Sequence, residues 1–561
     1  MPIVLVAVHL EDCPEAVALG AASVASALRE AFPDVPIHLV ETFVHEGPEA
    51  LVRKIRRLLN TSPLAKGQKE PAQSAPLPAM ITGFSIYSWN RALMIEAARL
   101  LRAEIVNVFL FCGGPEVSAR PRGLHKHEGG SFDTLIKGEG EKEAVRVLGE
   151  QFFQNAPAPV CLTQELNALP SPWLDGTLIA SEHHGVLWDL ARGCPYSCAY
   201  CYESKGARNA QRVRYFPQER IRSELALFLQ KKVPYVFVLD PTFNSDNKRA
   251  IAIMNMIEQE SVAFNAAGGA SDTHWHFEVR AELLNRQQAQ HFAKIGASLQ
   301  IGLQTVNPKS AALIGRLHFN RGQFESKINL LIEEDVLFGL DIIYGLPGDT
   351  LADYKKSLDF SLSLYPNNLD MFRLSVLPGT VLWDRASELG LYANSEAPYE
   401  VISTPDCSAS DLNRAESLSR AADRFYNQGR AVAWFNQLLY PLKMKPSLFL
   451  EGFMEFCKAA PENNGDVEKA QLAYLDAVYT KAKKRRLFPA VQDIVRFNGA
   501  WARALVEGIS TDITFHYDPE AVLGEAGLDI ESFVASCKKT NQAPVKGRVQ
   551  PGKCGPELLL L

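Results

Sequence analysis

The chain has 561 residues, 47% of them hydrophobic and 22% charged, with a formal net charge of −6. That length predicts roughly three or four globular domains, and no positive field draws the chain to nucleic acid. No apolar run approaches the roughly 20 residues of a membrane-spanning helix, and the start, MPIVLVAVHLEDCPE, lacks the basic segment of a secretory signal. A membrane, secreted or general nucleic-acid-binding protein is therefore not expected, and a cytoplasmic one is.

The first 150 residues alternate strand and helix. An apolar run over Ile3–Val8 predicts a buried strand, and Val17, Leu19, Ala21, Val24 and Leu28 carry helical periodicity through 15–30. A strand over Ile37–Val40, a helix over Pro48–Leu59 and a mobile Pro/Ala-rich loop over 60–79 follow. Then come a strand (81–88), a helix (90–101), a strand (106–114) and the strand–turn–helix FDTLIKGEGEKEAVRVLGE. This order predicts a doubly wound parallel sheet, a Rossmann-like domain over 1–150, with ligands at the carboxyl ends of its strands. No G-x-G-x-x-G follows the first strand, where HLEDCPEAVALG stands instead. Two later strands end in Ser85-Ile-Tyr87 and Cys112-Gly113-Gly114, small residues that leave room for a bulky ligand tail.

Residues 151–185 form a Pro-containing connector. Over 186–390 the alternation returns, with strand candidates VLWDLARG, YVFVLD, HFEVRAELL, SLQIGLQT, LFGLDIIYGLPG and LDMFRLSVLPG separated by helical patterns. These predict an incomplete (β/α)6 barrel. Beyond 391 the strands are expected to stop: 391–561 reads as a mostly α-helical domain with a loose tail over 540–561.

Cysteines are too sparse for a disulfide scaffold, yet Cys194, Cys198 and Cys201 crowd together as C-x3-C-x2-C. Three thiolates leave one position of a four-iron cluster free, where an iron can chelate a second ligand. A zinc knuckle needs a fourth Cys or His, and none follows within about twenty residues of Cys201. The triplet follows the first barrel strand, where barrel enzymes keep their chemistry.

With Tyr200 before the last cysteine, this stretch resembles the radical S-adenosylmethionine (radical SAM) superfamily, and the resemblance extends over 186–390. It implies a [4Fe-4S] cluster on Cys194, Cys198 and Cys201 with S-adenosylmethionine (SAM) on the open iron. Asp240-Pro-Thr-Phe-Asn244 stands where the family has a Gly-Gly-Glu stretch holding the SAM amino group, and the Gly-Gly-Glu itself is absent. Glu278 and Arg280 fall where the family contacts ribose or carboxylate. Gln304 and Arg316 resemble its fourth-strand pair, the Arg holding the SAM carboxylate, and DIIYGLPGDT (341–350) matches its turn near the adenine. Tyr200, Asp240, Glu278, Gln304 and Arg316 are thus the expected SAM contacts.

The first domain resembles cobalamin (B12) domains, with Ser85, Tyr87, Gly113 and Gly114 along the groove for the nucleotide tail and Glu139 and Gly140 in the closing turn Gly138–Glu141. The Asp-x-His-x-x-Gly motif that ligates cobalt from below is missing, and His9 does not fit it. The lower cobalt face is then expected to carry water, another side chain or nothing. Together the two resemblances identify the chain with B12-binding radical SAM proteins over about 1–390. They imply that a 5′-deoxyadenosyl radical removes hydrogen from an unactivated carbon and that methylcobalamin methylates it. A small-molecule or peptide substrate and an electron donor such as flavodoxin or ferredoxin are the implied partners. The same cofactors also serve rearrangement or oxidation, and a non-catalytic corrinoid-binding protein would not need the cysteine loop. Methylthiotransfer to tRNA would need a second cysteine trio and a basic appendage, whereas the remaining cysteines are dispersed and the basic run Lys481–Arg486 reads as a solvated helix end. Cys554, in the tail, is either incidental or brought into the site by a mobile segment.

Overall fold

In a computed structural model the chain is described over residues 1–61, 77–153, 166–204, 213–270, 272–316, 319–459, 465–524, 529–537, 544–553 and 555–561. Most of the loop expected over 60–79, and Cys554, lie outside the described residues.

The N-terminal sheet is wholly parallel, ordered β2-β1-β3-β4-β5. Its strands are β1 (Ile3–His9), β2 (Ile37–Phe43), β3 (Met80–Ser85), β4 (Val108–Gly113) and β5 (Thr134–Leu135). Such a sheet needs cover on both faces, and the alternation in β1 supplies two apolar surfaces. Ile3, Leu5 and Ala7 pack with Ala21, Ala25 and Leu28 of the helix Leu19–Ala31 and with Ala144 and Leu148 of the helix Gly140–Phe152. Val4, Val6 and Val8 pack with Leu51 and Ile55 of the helix Gly47–Thr61 and Met94 and Ala97 of the helix Arg91–Glu104. The order reverses at β1, so the strand ends there open a crevice of the kind that binds ligands.

The second sheet is an open barrel of six parallel strands, ordered β13-β12-β11-β10-β9-β6. It runs through β6 (Gly185–Asp189), β9 (Tyr235–Leu239), β10 (His274–Val279), β11 (Ala297–Gln304), β12 (Leu337–Tyr344) and β13 (Asn368–Arg373). A short antiparallel pair, β7 (Ala191–Arg192) with β8 (Arg214–Tyr215), flanks the cysteine loop. Trp275, Phe277 and Val279 of β10 face the helical layer and are buried, which leaves the alternate residues, His276 and Glu278 among them, for the lumen.

At the open edge of β13 one side chain stands in for a neighbouring strand at Leu369. Asn427, in a π-helical turn over Asp423–Gln428, accepts from the Leu369 N–H and donates to the Leu369 carbonyl, both at 3.0 Å. Asn427→Ala would leave both groups without their partner, at about 1–3 kcal/mol for each. Chemical denaturation should show that loss, and an unchanged midpoint would remove this role.

The C-terminal region is mostly helical, through Ala409–Ala422, Pro446–Ala459, Val467–Lys481 and Phe488–Val506. The expectation that strands stop at 391 fails. A small pair, β14 (Tyr392–Ala393) with β15 (Val401–Ser403), follows the barrel. The expected loose tail is instead a hairpin, β17 (Val545–Gly552) with β18 (Gly555–Leu560), joined to β16 (Thr511–Phe515) in an antiparallel sheet. Val549 is fully buried and Ile513 and Phe515 nearly so, on the face toward the helix Phe488–Val506. Lys546 and Arg548 interrupt the apolar run, so the period-two burial was masked by charge on the solvent face. Among the described residues no helix is long and apolar enough to cross a membrane.

Candidate functional site

One cavity of about 750 Å³ lies between the carboxyl ends of the N-terminal strands and the mouth of the barrel. Its wall carries Ser85, Tyr87, Gly113, Gly114, Glu139 and Gly140 from the first domain and Cys194, Cys198, Cys201, Tyr200, Asp240, Glu278, Gln304 and Arg316 from the barrel. The structure therefore brings these fourteen candidate cluster, SAM and cobalamin residues to one space. The turn Gly345–Asp349 does not reach it: a Cβ at Gly345 would press on Val401 and Leu412, and of 341–350 only Asp341 lines the wall.

The cysteine loop is held by backbone from two directions. Ala199 N–H donates to the Ile314 carbonyl (2.9 Å), and Leu382 N–H donates to the Ala199 carbonyl (2.8 Å). Gly315 makes the first contact possible, since with φ at +80° a Cβ there would collide with the Ser197 carbonyl. Cys194 and Cys198 are buried, Cys201 is half-buried, and all three are free thiols. Burial and the two neighbouring thiols push Cys201 up to about 11. Among the described residues no three His, Cys, Asp or Glu groups converge closely enough for a single ion. A trio of thiols on one loop suits a cluster that takes one thiolate per iron.

Around this loop stand polar groups with unfilled capacity. Gln304 takes φ +69° at a register shift in β11, and its buried Oε1 has no partner. Arg316 donates to the Gly302 carbonyl through Nη1 while its buried Nε has no partner. Burial opposes the Arg316 charge, but Tyr200 and Cys198 outweigh it and hold the guanidinium protonated. Orphaned donors and acceptors at the wall of a cavity suit a polar zwitterion such as SAM. Asp240 is differently occupied, since Arg249 holds its carboxylate at 2.6 Å.

The barrel side of the wall is acidic. Glu278 is open to the cavity, yet the enclosing walls desolvate its carboxyl, and with Asp341 and Asp240 adding they push it up to about 7. Asp341, pushed up to about 6 chiefly by burial, accepts from Gln300 at 2.5 Å. For Glu278 the folded value lies above the ordinary carboxylate value of about 4.3. Its stabilising share is complete below about pH 4.3 and is lost as pH rises toward 7. Glu278→Gln should thus gain stability relative to the parent across that window and keep a constant gain above it. Parallel denaturation curves at every pH would contradict this.

On the first domain the wall is a glycine trough. Gly20, Gly83, Gly113, Gly114, Gly138 and Gly140 all line it, and register places Ser85 beside Gly113. A Cβ at Gly114, where φ is +110°, would strike the Ile86 carbonyl. Such a floor suits a broad ligand that must approach the backbone, as a corrin nucleotide tail does. His9 is not part of it: its Nε2 pairs with Glu41 at 2.8 Å, and among the described residues no His lines the cavity.

Charge locks the two domains around this space. Arg192, beside the cysteine loop, reaches Glu141 (2.7 Å), Asp189 (3.1 Å) and Glu139 (3.3 Å), and Arg214 also binds Glu139 (3.2 Å). Tyr202 Oη donates to the Pro115 carbonyl at 2.6 Å. Glu139 thus sits at the wall with its carboxylate engaged by arginines. Arg192 and Gln300 escaped notice in the sequence, and Glu141 and Asp341 were read only as members of the turn Gly138–Glu141 and the stretch DIIYGLPGDT, with no role of their own. A carboxylate amid the apolar run LFGLDIIYG was the available signal for Asp341, whereas nothing local marks the partner of Arg192.

Residues 188–361 match the family model described as the radical SAM superfamily. The cobalamin-dependent radical SAM methyltransferase TokK of Streptomyces tokunonensis is 23% identical over 359 residues, covering 58% of this chain and 52% of that protein. The chain thus spans about half the length of this relative. Among solved structures, the radical SAM methyltransferase TsrM of Kitasatospora setae, with cobalamin and a [4Fe-4S] cluster bound, aligns at a TM-score of 0.52 with 15% identity, over 74% of this chain and 82% of that one. The cobalamin-dependent SAM radical enzyme OxsB, with aqua-cobalamin bound, aligns at 0.54 with 14% identity, over 96% and 84%. At these identities the structural likeness is one of fold.

Proposed function

We propose that this chain, a radical SAM protein that shares the fold of cobalamin-binding members of the superfamily, is a methyltransferase acting on an unactivated carbon of a small molecule or peptide. The observation that carries the reading is the single cavity, in which the cysteine loop faces a glycine trough. The match to TokK, named a cobalamin-dependent radical SAM methyltransferase, favours methylation over rearrangement or oxidation with the same cofactors.

Cys194, Cys198 and Cys201 would hold the cluster, Gln304 and Arg316 the polar end of SAM, and the trough from Gly83 to Gly114 the cobalamin. When bound, these groups supply one-electron cleavage of SAM, a carbon-centred radical and a transferable methyl group. The chain itself binds, orients and excludes water. Gln304 offers an acceptor to the SAM amine, and Arg316, held protonated, pairs with its carboxylate. Tyr200 and Tyr196 wall the cysteine loop, and the Arg192 lock fixes the distance between trough and loop. Glu278, close to half-protonated near neutral pH, offers a polar group to a hydroxyl or amine at the cavity floor. The β14–β15 hairpin, which leads from the barrel into the C-terminal helices, reaches the N-terminal domain directly: Tyr399 Oη donates to Glu116 (2.7 Å), and Arg120 Nη2 pairs with Glu396 (3.1 Å). The helical region beyond it would cap the cavity and select the substrate. A low-potential donor such as flavodoxin or ferredoxin would supply the electron.

The test is product analysis. Reconstituted protein given cobalamin, SAM and a low-potential reductant should form both 5′-deoxyadenosine and S-adenosylhomocysteine. Deoxyadenosine without S-adenosylhomocysteine would end the methyl-transfer reading and leave the non-methylating one.

A further inference from the structure

Two polar side chains of the segment Asp240–Asn244 bear on the cysteine loop, Thr242 directly and Asn244 through Arg280. Thr242 Oγ1 lies 3.6 Å from Cys194 Sγ. Asn244, only 2% exposed, clamps the backbone of Arg280: its Nδ2 donates to the Arg280 carbonyl and its Oδ1 accepts the Arg280 N–H, both at 3.0 Å. Arg280 is the first residue beyond β10, so this clamp fixes where its side chain leaves the barrel rim. The guanidinium stacks 3.9 Å above the ring of Tyr196, which stands between Cys194 and Cys198 in the loop. Its Nε donates to Glu282 at 2.6 Å, and its Nη1 donates to Cys198 Sγ at 3.8 Å. Ring, carboxylate and backbone clamp leave the guanidinium little freedom except against that thiol.

We propose that Arg280 raises the reduction potential of the cluster through Cys198, and that Asn244 is the positioning residue that holds it there. The physical ground is general. Reduction adds one negative charge to the cluster and its thiolates, and a nearby cation or an N–H···S hydrogen bond stabilises the more negative form. The inference rests on the cluster assignment alone and is independent of cobalamin and of methyl transfer.

The test is a redox titration of the anaerobically reconstituted cluster without SAM or cobalamin, read by electron paramagnetic resonance. The parent, Arg280→Gln, Arg280→Lys and Asn244→Ala are compared at equal iron content. Arg280→Gln should move the midpoint to more negative potential, lowering the ratio of reduced to oxidised cluster about tenfold at the parent's midpoint, or about 59 mV for one electron. Arg280→Lys should keep most of the parent's potential, and Asn244→Ala should shift in the same direction by less. An unchanged midpoint in cluster-loaded Arg280→Gln overturns the role of Arg280. A shift there with none in Asn244→Ala overturns the positioning role. Should Arg280→Gln fail to hold iron, Asn244→Ala decides the matter, because it keeps every thiol and the guanidinium. Failure of the parent to take up a [4Fe-4S] cluster would instead strike the cluster assignment.

Discussion

Replacing Cys198 by Ala should bring 5′-deoxyadenosine formation to background and sharply reduce the iron held after reconstitution, while the chain still folds. Cys198 is the thiol that meets most of the site, since Arg280 Nη1 lies 3.8 Å from its sulfur and Arg316 also faces it. Each iron bound by protein has one thiolate in this spacing, so losing one leaves an iron without its ligand. The loop itself is held by the backbone of Ala199 against Ile314 and Leu382, bonds the substitution leaves untouched. Circular dichroism should therefore match the parent. Persistent deoxyadenosine formation in the variant would mean that the cysteine triplet is not the site of SAM cleavage.

Arg192→Leu should cost about 3–5 kcal/mol near neutral pH, the usual penalty for leaving buried charge without its partner. The side chain of Arg192 is 21% exposed and that of Glu141 only 7%, so water compensates little. Glu141 would lose its cation, and Asp189, already pushed up to about 6 mainly by burial, would lose the charge that limits that rise. The share that belongs to Asp189 should shrink as pH falls toward about 6, because without the cation this carboxyl takes up its proton above that value. The same change unfastens the turn Gly138–Glu141 from the cysteine loop, so cobalamin retention should fall with it. Denaturation curves at pH 7.5 that overlay the parent would remove the lock from the account.

How much of this was legible beforehand depended on the range of the signal. The two parallel sheets were written in apolar runs of strand length alternating with helical periodicity, patterns each segment carries by itself. The cysteine spacing is equally local, and its three thiols line the cavity of the candidate site. Contacts across the chain left no such trace. Arg192 meets Glu141 across 51 residues of sequence, and Asn427 meets Leu369 of β13 across 58, through single polar side chains with no periodicity. The final hairpin was hidden differently, because Lys546, Arg548, Pro551 and Gly552 make Val545–Gly552 read as loop while Val549 is fully buried. The turn Gly345–Asp349, expected beside a ligand, packs on Val401 and Leu412, since a turn motif says nothing of what later residues will cover it.

The central claim is that one cavity holds both a cluster loop and a corrinoid. The most direct measurement is the cobalt and iron content of the anaerobically reconstituted, gel-filtered protein, for the parent and for Gly114→Val. One corrinoid and one [4Fe-4S] cluster should be retained per parent chain, with Gly114→Val losing cobalt but keeping iron, because a side chain there would strike the buried Ile86 carbonyl behind the trough and displace the strand end that lines it. A parent that retains its cluster but no cobalt would contradict it.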